Sequence, residues 1–261
     1  MDIIAKALQR AKAKPHFSIA DNTRPTPVAG EALVERERSI NKAGAFTLSS
    51  SALISNRIFA QDGAHRMTRS YDVLRGQLAT LNEGYTPGLL AVTAPNAGCG
   101  ATTAAINLAF SFARMRDANV LLVDANLRSP SVKRLFGRSA TPHAEETRWP
   151  DLSQVEVDGL HLHVFAPGQD VNGTAGRPGA AQLSRQIDSV RRSLNPSITI
   201  VDLPPLLAAD ETASLMSSAD TVVLVLAVGQ SKVAELEMCK TYLDPRAKVQ
   251  VVLNKCRRHG L

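Results

Sequence analysis

"TAPNAGCGATTAAIN", residues 93–107, joins an apolar run to a helical pattern. The run at 89–94, LLAVTA, is typical of a strand buried on both faces, and the apolar residues from Thr102 to Met115 predict a buried helix. Gly98 and Gly100 allow the backbone between them to approach a ligand closely. Backbone N–H groups in such a loop, with a helix N-terminus behind them, form a concave anion site. The segment therefore predicts a phosphate-binding loop, in which the Thr102 hydroxyl is placed to bind Mg²⁺.

Strand and helix patterns alternate along the rest of the chain. Helices are predicted at about 65–83 and 232–243, and by the apolar stripe of Leu183, Ile187, Val190 and Leu194. Alternation at this spacing predicts a mainly parallel sheet covered by helices on both faces, a three-layer α/β sandwich. Residues 137–158 have no regular pattern, and we interpret them as an irregular connection. The further strands are predicted within 119–126, 160–166, 197–205, 220–227 and 248–254.

Acidic residues end two of these strands. Asp124 closes the second strand and Asp202 the fourth, where ligands of open α/β sheets bind. Carboxylates at this edge can hold a metal ion from the side opposite the phosphates. Asp210 lies where it could add an acidic contact. The alternative for one such aspartate is a helix N-cap, and the sequence leaves both open.

The amino-acid composition indicates the cellular compartment of the protein and the kinds of partner it can bind. The 261-residue chain is 44% hydrophobic, with a net charge of +6 that we interpret as a solvated basic surface. Cys99, Cys239 and Cys256 lack metal-ligand spacing and indicate a reducing compartment. We recognise no signal peptide or membrane-spanning run, which predicts a cytoplasmic protein. Zinc spacing and helix-turn-helix patterns are also missing, so no nucleic acid is expected as a partner.

Three regions are predicted along the chain. Residues 1–14, MDIIAKALQRAKAK, form an amphipathic helix that docks on a partner or a membrane surface, or else a frayed basic terminus. Residues 15–48 are predicted to be a flexible linker, and 49–261 the α/β domain.

Over about residues 50–256, the order and spacing of several stretches resemble one known family. It comprises the cytoplasmic tyrosine autokinase (BY-kinase) domains of capsular and exopolysaccharide biosynthesis, within the MinD/ParA-like branch of P-loop ATPases. The matching stretches are RSYDVLRGQL, APNAGCGATTAAINLAFSFA, VLLVDANLRSPSVKRLFG, GLHLHVFAPGQ, IVDLPPLLAADE and ADTVVLVLAVGQSK.

The resemblance implies a P-loop NTPase fold that binds ATP and Mg²⁺. Asp124 and Asp202 fall on the catalytic Walker A′ and Walker B segments and, with Thr102, would bind the metal. Asn254 falls where this class contacts the nucleotide base. Family members work with a transmembrane chain-length regulator (a polysaccharide co-polymerase), and many form rings. The Walker A loop, which binds the cofactor, comprises Gly98, Cys99, Gly100, Ala101, Thr102 and Thr103.

The chain departs from this family at several functional positions. Ala101 replaces the Walker A lysine and Asn126 replaces a second acid, and an amide cannot act as a general base. Arg69 and Asp72 occupy subunit-contact positions with exchanged charges, which predicts an ion pair between like subunits. The family's C-terminal tyrosine cluster is missing, since the only tyrosines are Tyr71, Tyr85 and Tyr242.

Three functions fit this pattern. We expect a regulatory or scaffolding pseudokinase-like subunit of polysaccharide polymerisation and export, peripheral at the inner membrane through its partner. It would form homo-oligomers or hetero-oligomers with family members. The alternatives are an active ATP-dependent tyrosine kinase or ATPase of exopolysaccharide biosynthesis, and a positioning ATPase of the MinD/ParA type.

Overall fold

The computed structural model describes residues 45–136, 151–167, 178–209 and 211–256. Within these ranges seven helices accompany eight strands. The strands are β1 Ala45–Thr47, β2 Leu89–Thr93, β3 Val120–Asp124, β4 Leu152–Val157, β5 Leu160–Phe165, β6 Ile198–Asp202, β7 Thr221–Ala227 and β8 Lys248–Asn254. The helices are α1 Ser50–Ser55, α2 Thr68–Leu81, α3 Ala101–Ala113, α4 Val132–Phe136, α5 Ala180–Leu194, α6 Glu211–Met216 and α7 Val233–Tyr242.

All eight strands form one sheet in the order β1-β4-β5-β3-β6-β2-β7-β8. Every neighbouring pair is parallel except β4 and β5. The central strands β2, β3, β6 and β7 are buried along their whole length, as their continuous apolar runs predict. The predicted mainly parallel α/β sheet is confirmed.

Helices cover both faces of the sheet and complete three layers. Leu74 and Leu78 of α2 join most of α3 in the core on one face. On the other face, Leu183, Ile187 and Val190 of α5 are buried with residues of α6 and α7. Burying one such side chain contributes about 1.5–3 kcal/mol, so these stripes hold the layers together.

An antiparallel hairpin lies where the sequence gave no regular pattern. β4 spans the end of the segment 137–158 that we predicted to be irregular, and it pairs along its full length with β5. Asp158 and Gly159 form the turn with φ values of 48° and 79°. Positive φ at both central residues is the geometry that favours Asp-Gly in tight hairpins. The prediction of an irregular connection is therefore wrong for 152–157.

The segment before the domain also contributes to the sheet. β1 pairs in parallel with β4, and Leu48 is buried just after it. These residues lie at the end of the predicted linker 15–48, whereas the structure places 45–48 within the domain. Three residues of strand are too short to leave a periodic signal. The predicted helix at 1–14, the rest of the linker and Asp210 lie outside the described residues.

A buried asparagine fastens this leading segment to α3. The Asn107 Oδ1 atom accepts hydrogen bonds from the backbone N–H groups of Phe59 and Ala60, at 2.7 and 3.0 Å. Its amide group donates to the carbonyl oxygens of Arg57 and Thr103, at 3.0 and 2.8 Å. All four hydrogen-bonding positions of the amide are used, so the segment 57–60 has a fixed position against the first turns of α3.

A charged cluster joins α2 to α3. Asp72 accepts hydrogen bonds from Arg114 and, at 2.6 Å, from the Ser111 hydroxyl, and Arg75 lies 3.4 Å away. Burial alone would raise the pKa of Asp72, but these hydrogen bonds and the two arginine charges outweigh it and lower the pKa. Asp72 therefore pairs within its own chain, whereas Arg69 is exposed.

No helix in the described ranges is long and apolar enough to cross a membrane.

Candidate functional site

The loop between β2 and α3 wraps around an open helix N-terminus. Gly98 and Gly100 have φ values of 82° and 95°, a region that side chains rarely adopt. α3 begins at Ala101 without a side-chain cap. Because the first N–H groups of a helix have no partners within it, those of this first turn can bind an anion.

Side chains from two other connections hold the outer side of the loop. Gln230, after β7, donates from Nε2 to the Ala97 carbonyl at 2.9 Å, and the Ser231 hydroxyl lies 3.5 Å from the Cys99 Sγ atom. Asn254, at the end of β8, donates from Nδ2 to the Cys99 carbonyl at 2.9 Å. A Cβ atom on Gly100 would lie 2.2 Å from the Asn254 Nδ2 atom. Only glycine therefore fits at position 100.

The structure adds contacts of the loop that the sequence did not predict. The resemblance predicts Asn254 as a contact of the nucleotide base, and that role stays a prediction, whereas the structure shows its side chain hydrogen-bonded to the loop backbone. Gln230 and Ser231 lie in the stretch ADTVVLVLAVGQSK that resembles the family, but no contact with the loop was predicted for them. Cys99 is 1% exposed, so its side chain is part of the core behind the loop.

The two predicted acids lie side by side at the carboxyl edge of the sheet. Asp124 of β3 pairs in register with Asp202 of β6, and Asp202 also pairs with Val92 of β2, two residues before Ala94. Both carboxylates are buried, with 1% and 0% exposure. The fold therefore brings the acid pair and the loop to one edge.

Asp202 is a buried acid without a hydrogen bond of normal geometry to any described residue, at either carboxylate oxygen. Burial, and then the negative charge of Asp124, raise the pKa of Asp202 well above the usual value, while the nearby Thr102 side chain acts in the opposite direction. A buried acid that lacks partners is costly unless a ligand or a proton satisfies it.

Asp124 is held differently. Its Oδ2 atom accepts hydrogen bonds from the backbone N–H groups of Ser131 and Val132, both at 3.0 Å, at the start of α4. Its Oδ1 atom accepts from the Asn126 N–H at 3.2 Å. Asp124 therefore stabilises the backbone that leads into α4, although it lies too far along the chain to be the N-cap residue of that helix. Asn126 in turn accepts from the Ser129 N–H, so its amide shapes the same turn.

Ala101 has a methyl group at the position where the Walker A loop of the resembling family has its lysine. It is half-buried and packs against the apolar core on the α3 side of the sheet. The chain has no lysine or arginine between Arg75 and Arg114, so the loop and its helix carry no positive side chain of their own. Gln230, which contacts the loop, also accepts a hydrogen bond from Lys255 at its Oε1 atom, at 3.1 Å.

The described residues contain no group of three or more histidine, cysteine, aspartate or glutamate side chains that could hold a metal ion. A divalent cation at Asp202 would therefore need oxygen ligands from a bound phosphate or from water, which is the usual situation for Mg²⁺.

The P-loop NTPase fold is defined by this sheet order, the glycine loop and the acid pair at the sheet edge. A ParA family ATPase of Chlorobium tepidum shares the fold, with a TM-score of 0.50 at 15% identity over 64% of this chain and 73% of that chain. The kinase domain of the Escherichia coli tyrosine kinase ETK superposes with a TM-score of 0.62 at 20% identity, over 78% of this chain and 81% of that domain. The predicted fold class is confirmed.

Two proteins named as bacterial tyrosine kinases are similar in sequence. CpsD of Streptococcus pneumoniae serotype 4 is 27% identical over 174 residues, covering 64% of this chain and 75% of CpsD. EpsB of Ralstonia nicotianae, named as a tyrosine-protein kinase, is 30% identical over 155 residues, covering 57% of this chain. The match spans only 20% of the length of EpsB. No protein-family model matches the chain.

Proposed function

We propose that this chain is a regulatory or scaffolding, pseudokinase-like subunit of bacterial polysaccharide polymerisation and export. One observation carries the proposal: the loop and the buried acid pair have the geometry of a nucleotide site, but position 101 holds a methyl group that packs into the core. Similarity to proteins named as tyrosine kinases supports the family assignment, and the substitutions support the loss of rapid catalysis.

The acid pair fits a metal-bound nucleotide. Asp202 is buried without a hydrogen-bond partner of normal geometry among the described residues, next to a second carboxylate, so a divalent cation would neutralise a real electrostatic cost. Asp202, Asp124 and the Thr102 hydroxyl would hold Mg²⁺, and the first N–H groups of α3 would bind phosphate oxygens. The cation, when bound, would neutralise charge on the phosphates.

The missing lysine is expected to slow phosphoryl transfer. Removing one preorganised contact that stabilises developing charge costs about 10²–10³-fold in rate in comparable enzymes. Backbone N–H groups and Mg²⁺ still provide binding, so we propose that nucleotide affinity is weak rather than lost. A site that binds nucleotide but hydrolyses it slowly suits a subunit that is regulated by whether nucleotide is bound.

The positions of the described tyrosines support the same proposal. Tyr71 is partly buried against the core, and burial raises its pKa to about 12. Tyr85 is exposed but precedes β2, at the opposite edge of the sheet from the loop, and Tyr242 ends α7. None of these places a hydroxyl group beside the acid pair.

We propose, from the resemblance, that the partner is a transmembrane chain-length regulator and that the protein is cytoplasmic and peripheral at the inner membrane. Homo-oligomers or mixed oligomers with active kinases would then be its working form. Asp72 pairs within its own chain, so a subunit contact through Asp72 would compete with that internal pair.

The purified protein incubated with γ-labelled ATP, Mg²⁺ and the cytoplasmic segment of its regulator tests the proposal. We expect no tyrosine phosphorylation of either protein, although an intact kinase of the family labels itself under the same conditions. Robust tyrosine phosphorylation that Asp202→Asn abolishes would overturn the pseudokinase assignment.

The retained loop and the unpaired Asp202 also favour a second candidate, an ATP-dependent kinase or ATPase that modifies a tyrosine of another protein. Calorimetry separates the two. Micromolar binding of Mg-ATP with measurable hydrolysis favours the second candidate, whereas weak binding without turnover favours the first.

A further inference from the structure

β8 lies at the edge of the sheet formed by the described residues, so one side of its backbone faces no other described strand. Its neighbour among the described strands is β7 alone. The Asn254 carbonyl points toward the β7 side, where it accepts a hydrogen bond from the Val228 N–H at 3.0 Å. Since successive residues of a strand point their backbone groups to opposite sides, those of Val249, Val251 and Leu253 point outward. Two of these outward carbonyls accept local side-chain contacts, Val251 from the Gln250 amide at 3.3 Å and Leu253 from the Cys256 thiol at 3.7 Å, which an incoming strand would replace. An edge of this kind is a template for another strand.

Apolar side chains are concentrated along this edge. Six of the ten large exposed apolar side chains in the described ranges lie between residues 228 and 253, on β8, α7 and the connection between β7 and α7. Val251 is 43% exposed and Leu253 is 63% exposed. Val249 of the same strand packs with Leu236 and Cys239 of α7 in the core on that face. The six are Val228, Val233, Met238, Tyr242, Val251 and Leu253.

The ends of the edge strand are basic. Arg246, Lys248 and Lys255 flank the apolar centre, and the sequence from 245 to 256 contains no acidic residue. Lys248 and Lys255 donate to the neutral side-chain amides of Asn82 and Gln230, at 3.2 and 3.1 Å, so these contacts leave their positive charges uncompensated. Asp244, just before the strand, accepts from the Arg246 N–H.

These charges decide what kind of strand fits. In an antiparallel pairing with a second copy centred on the outward residue Val251, Lys248 of each chain would lie opposite Asn254 of the other and next to its Lys255. Each end of such a pair would gather the basic residues of both chains, and like charges this close are destabilising, so the edge disfavours its own copy. An extended segment with apolar residues at alternate positions and acidic residues at both ends satisfies the outward backbone groups, the apolar face and the basic ends together.

We propose that β8 is a docking edge for an extended, acid-flanked peptide segment of a partner protein, which adds to the sheet as a ninth strand beside β8. The groove between the ends of α6 and α7 and the start of β8 extends this edge. Tyr242, Arg246 and Lys248 line this groove, whose volume is about 960 Å³. The edge is formed by residues outside the acid pair, so docking is independent of the proposed loss of catalysis.

Fluorescence anisotropy of the full-length protein with a labelled probe peptide tests this inference. The probe is Glu-Glu-Val-Thr-Val-Thr-Val-Glu-Glu, and its matched control carries lysine at the four terminal positions. We expect the acidic probe to bind at least about tenfold more tightly than the basic one at low salt, with the difference reduced at high salt. Equal binding of the two peptides, or no binding of the acidic probe at millimolar concentration, overturns the proposal.

Two variants test the backbone contribution. Val251→Pro removes an outward N–H and leaves the β7 ladder intact, because proline is tolerated where the missing N–H faces solvent on an edge strand. We expect it to weaken binding of the acidic probe at least about tenfold, whereas Val251→Thr keeps the N–H and binds as the wild type does. Unchanged binding by Val251→Pro contradicts strand addition.

A third variant and a modified probe remove the remaining ambiguities. Arg246→Glu is expected to reduce the preference for the acidic probe. If Val251→Pro lowers the melting temperature, a probe N-methylated at alternate residues provides the same test on the wild type, and it must bind more weakly than the unmodified probe. Sedimentation that shows a dimer abolished by Val251→Pro would assign the edge to a second copy and overturn the proposal.

Discussion

Asp124 and Asp202 are paired in register on neighbouring parallel strands, yet only Asp124 receives hydrogen bonds from the backbone of its own connection. Backbone N–H groups favour the ionised form of Asp124. Its negative charge and the burial of Asp202 then disfavour a second ionised carboxylate. One acid is thus held by the fold, and the other is left for a proton or a cation.

Asp202→Asn is expected to stabilise the protein at neutral pH in the absence of nucleotide and Mg²⁺. Because the pKa of Asp202 is raised in the folded state, the folded protein binds the proton more tightly than the unfolded chain. Wild-type stability therefore decreases as pH rises above the ordinary aspartate value toward the raised pKa. The variant has no carboxyl group to ionise at this position, so its stability does not decrease in this way as the pH rises. Its melting temperature should therefore exceed that of the wild type at pH 7 and match it near pH 4.

Asp117→Asn is a suitable control for that experiment, since the side chain of Asp117 is 90% exposed. Thermal melts of the three proteins between pH 4 and 8 make the comparison. Parallel curves for Asp202→Asn and the wild type would show that Asp202 does not titrate as its environment requires.

Ala101→Lys should restore a positive charge to the loop. We expect tighter Mg-ATP binding and an increase of about 10²–10³-fold in any basal ATP hydrolysis, the amount attributed to one preorganised charge-stabilising contact. Ala101→Met has a similar length without charge and should change neither quantity. Calorimetry and a phosphate-release assay measure both, and equal behaviour of the two variants would show that the missing charge is not what limits the site.

Gly100→Ala should destabilise the protein by at least about 1–2 kcal/mol, because a left-handed backbone conformation strains any residue with a Cβ atom. The new methyl group would also collide with Asn254. Gly76→Ala, in the exposed interior of α2 with nothing within 4 Å of the added Cβ, is expected to stabilise by about 1 kcal/mol. Urea unfolding of both variants measures these opposite effects, and adding Asn254→Ala should recover only the part due to the collision.

Asp72→Asn should lower the melting temperature at pH 7, because it weakens the hydrogen bonds and ion pairs with Arg114 and Arg75. The pKa of Asp72 is lowered, so its stabilisation is present above the ordinary aspartate value and decreases as the pH falls below it. Arg69→Gln, at an exposed position on the same helix, should change stability by less than about 0.5 kcal/mol. If Asp72→Asn instead dissociated an oligomer without affecting monomer stability, the intersubunit ion pair predicted from the sequence would be supported.

The central strands were predictable because their apolar runs are uninterrupted, and two of them, β3 and β6, end in the acids that mark the sheet edge. The position of Asp124 beside Asp202 follows from the order of parallel strands, whereas the sequence could not show which of the two accepts hydrogen bonds from the backbone of the next connection. That distinction depends on the path of the turn at 126–131, which no periodic pattern encodes.

The hairpin of β4 and β5 does have a local signal in the sequence. Asp158-Gly159 follows the alternating segment LSQVEV, which is a common hairpin pattern. The contacts of Gln230 and Ser231 with the loop had no such signal, since they arise from the packing of distant connections.

The four hydrogen bonds of Asn107 have a practical consequence for dissecting this protein. A truncated chain that began at residue 61 would keep the glycine loop and the acid pair of the nucleotide site. It would still lose three of the four hydrogen-bonding partners of the buried Asn107 side chain in α3. Such a fragment would be expected to express poorly or aggregate, and its inactivity would say nothing about the chemistry of Ala101. Domain boundaries for biochemical work should therefore be drawn ahead of residue 45.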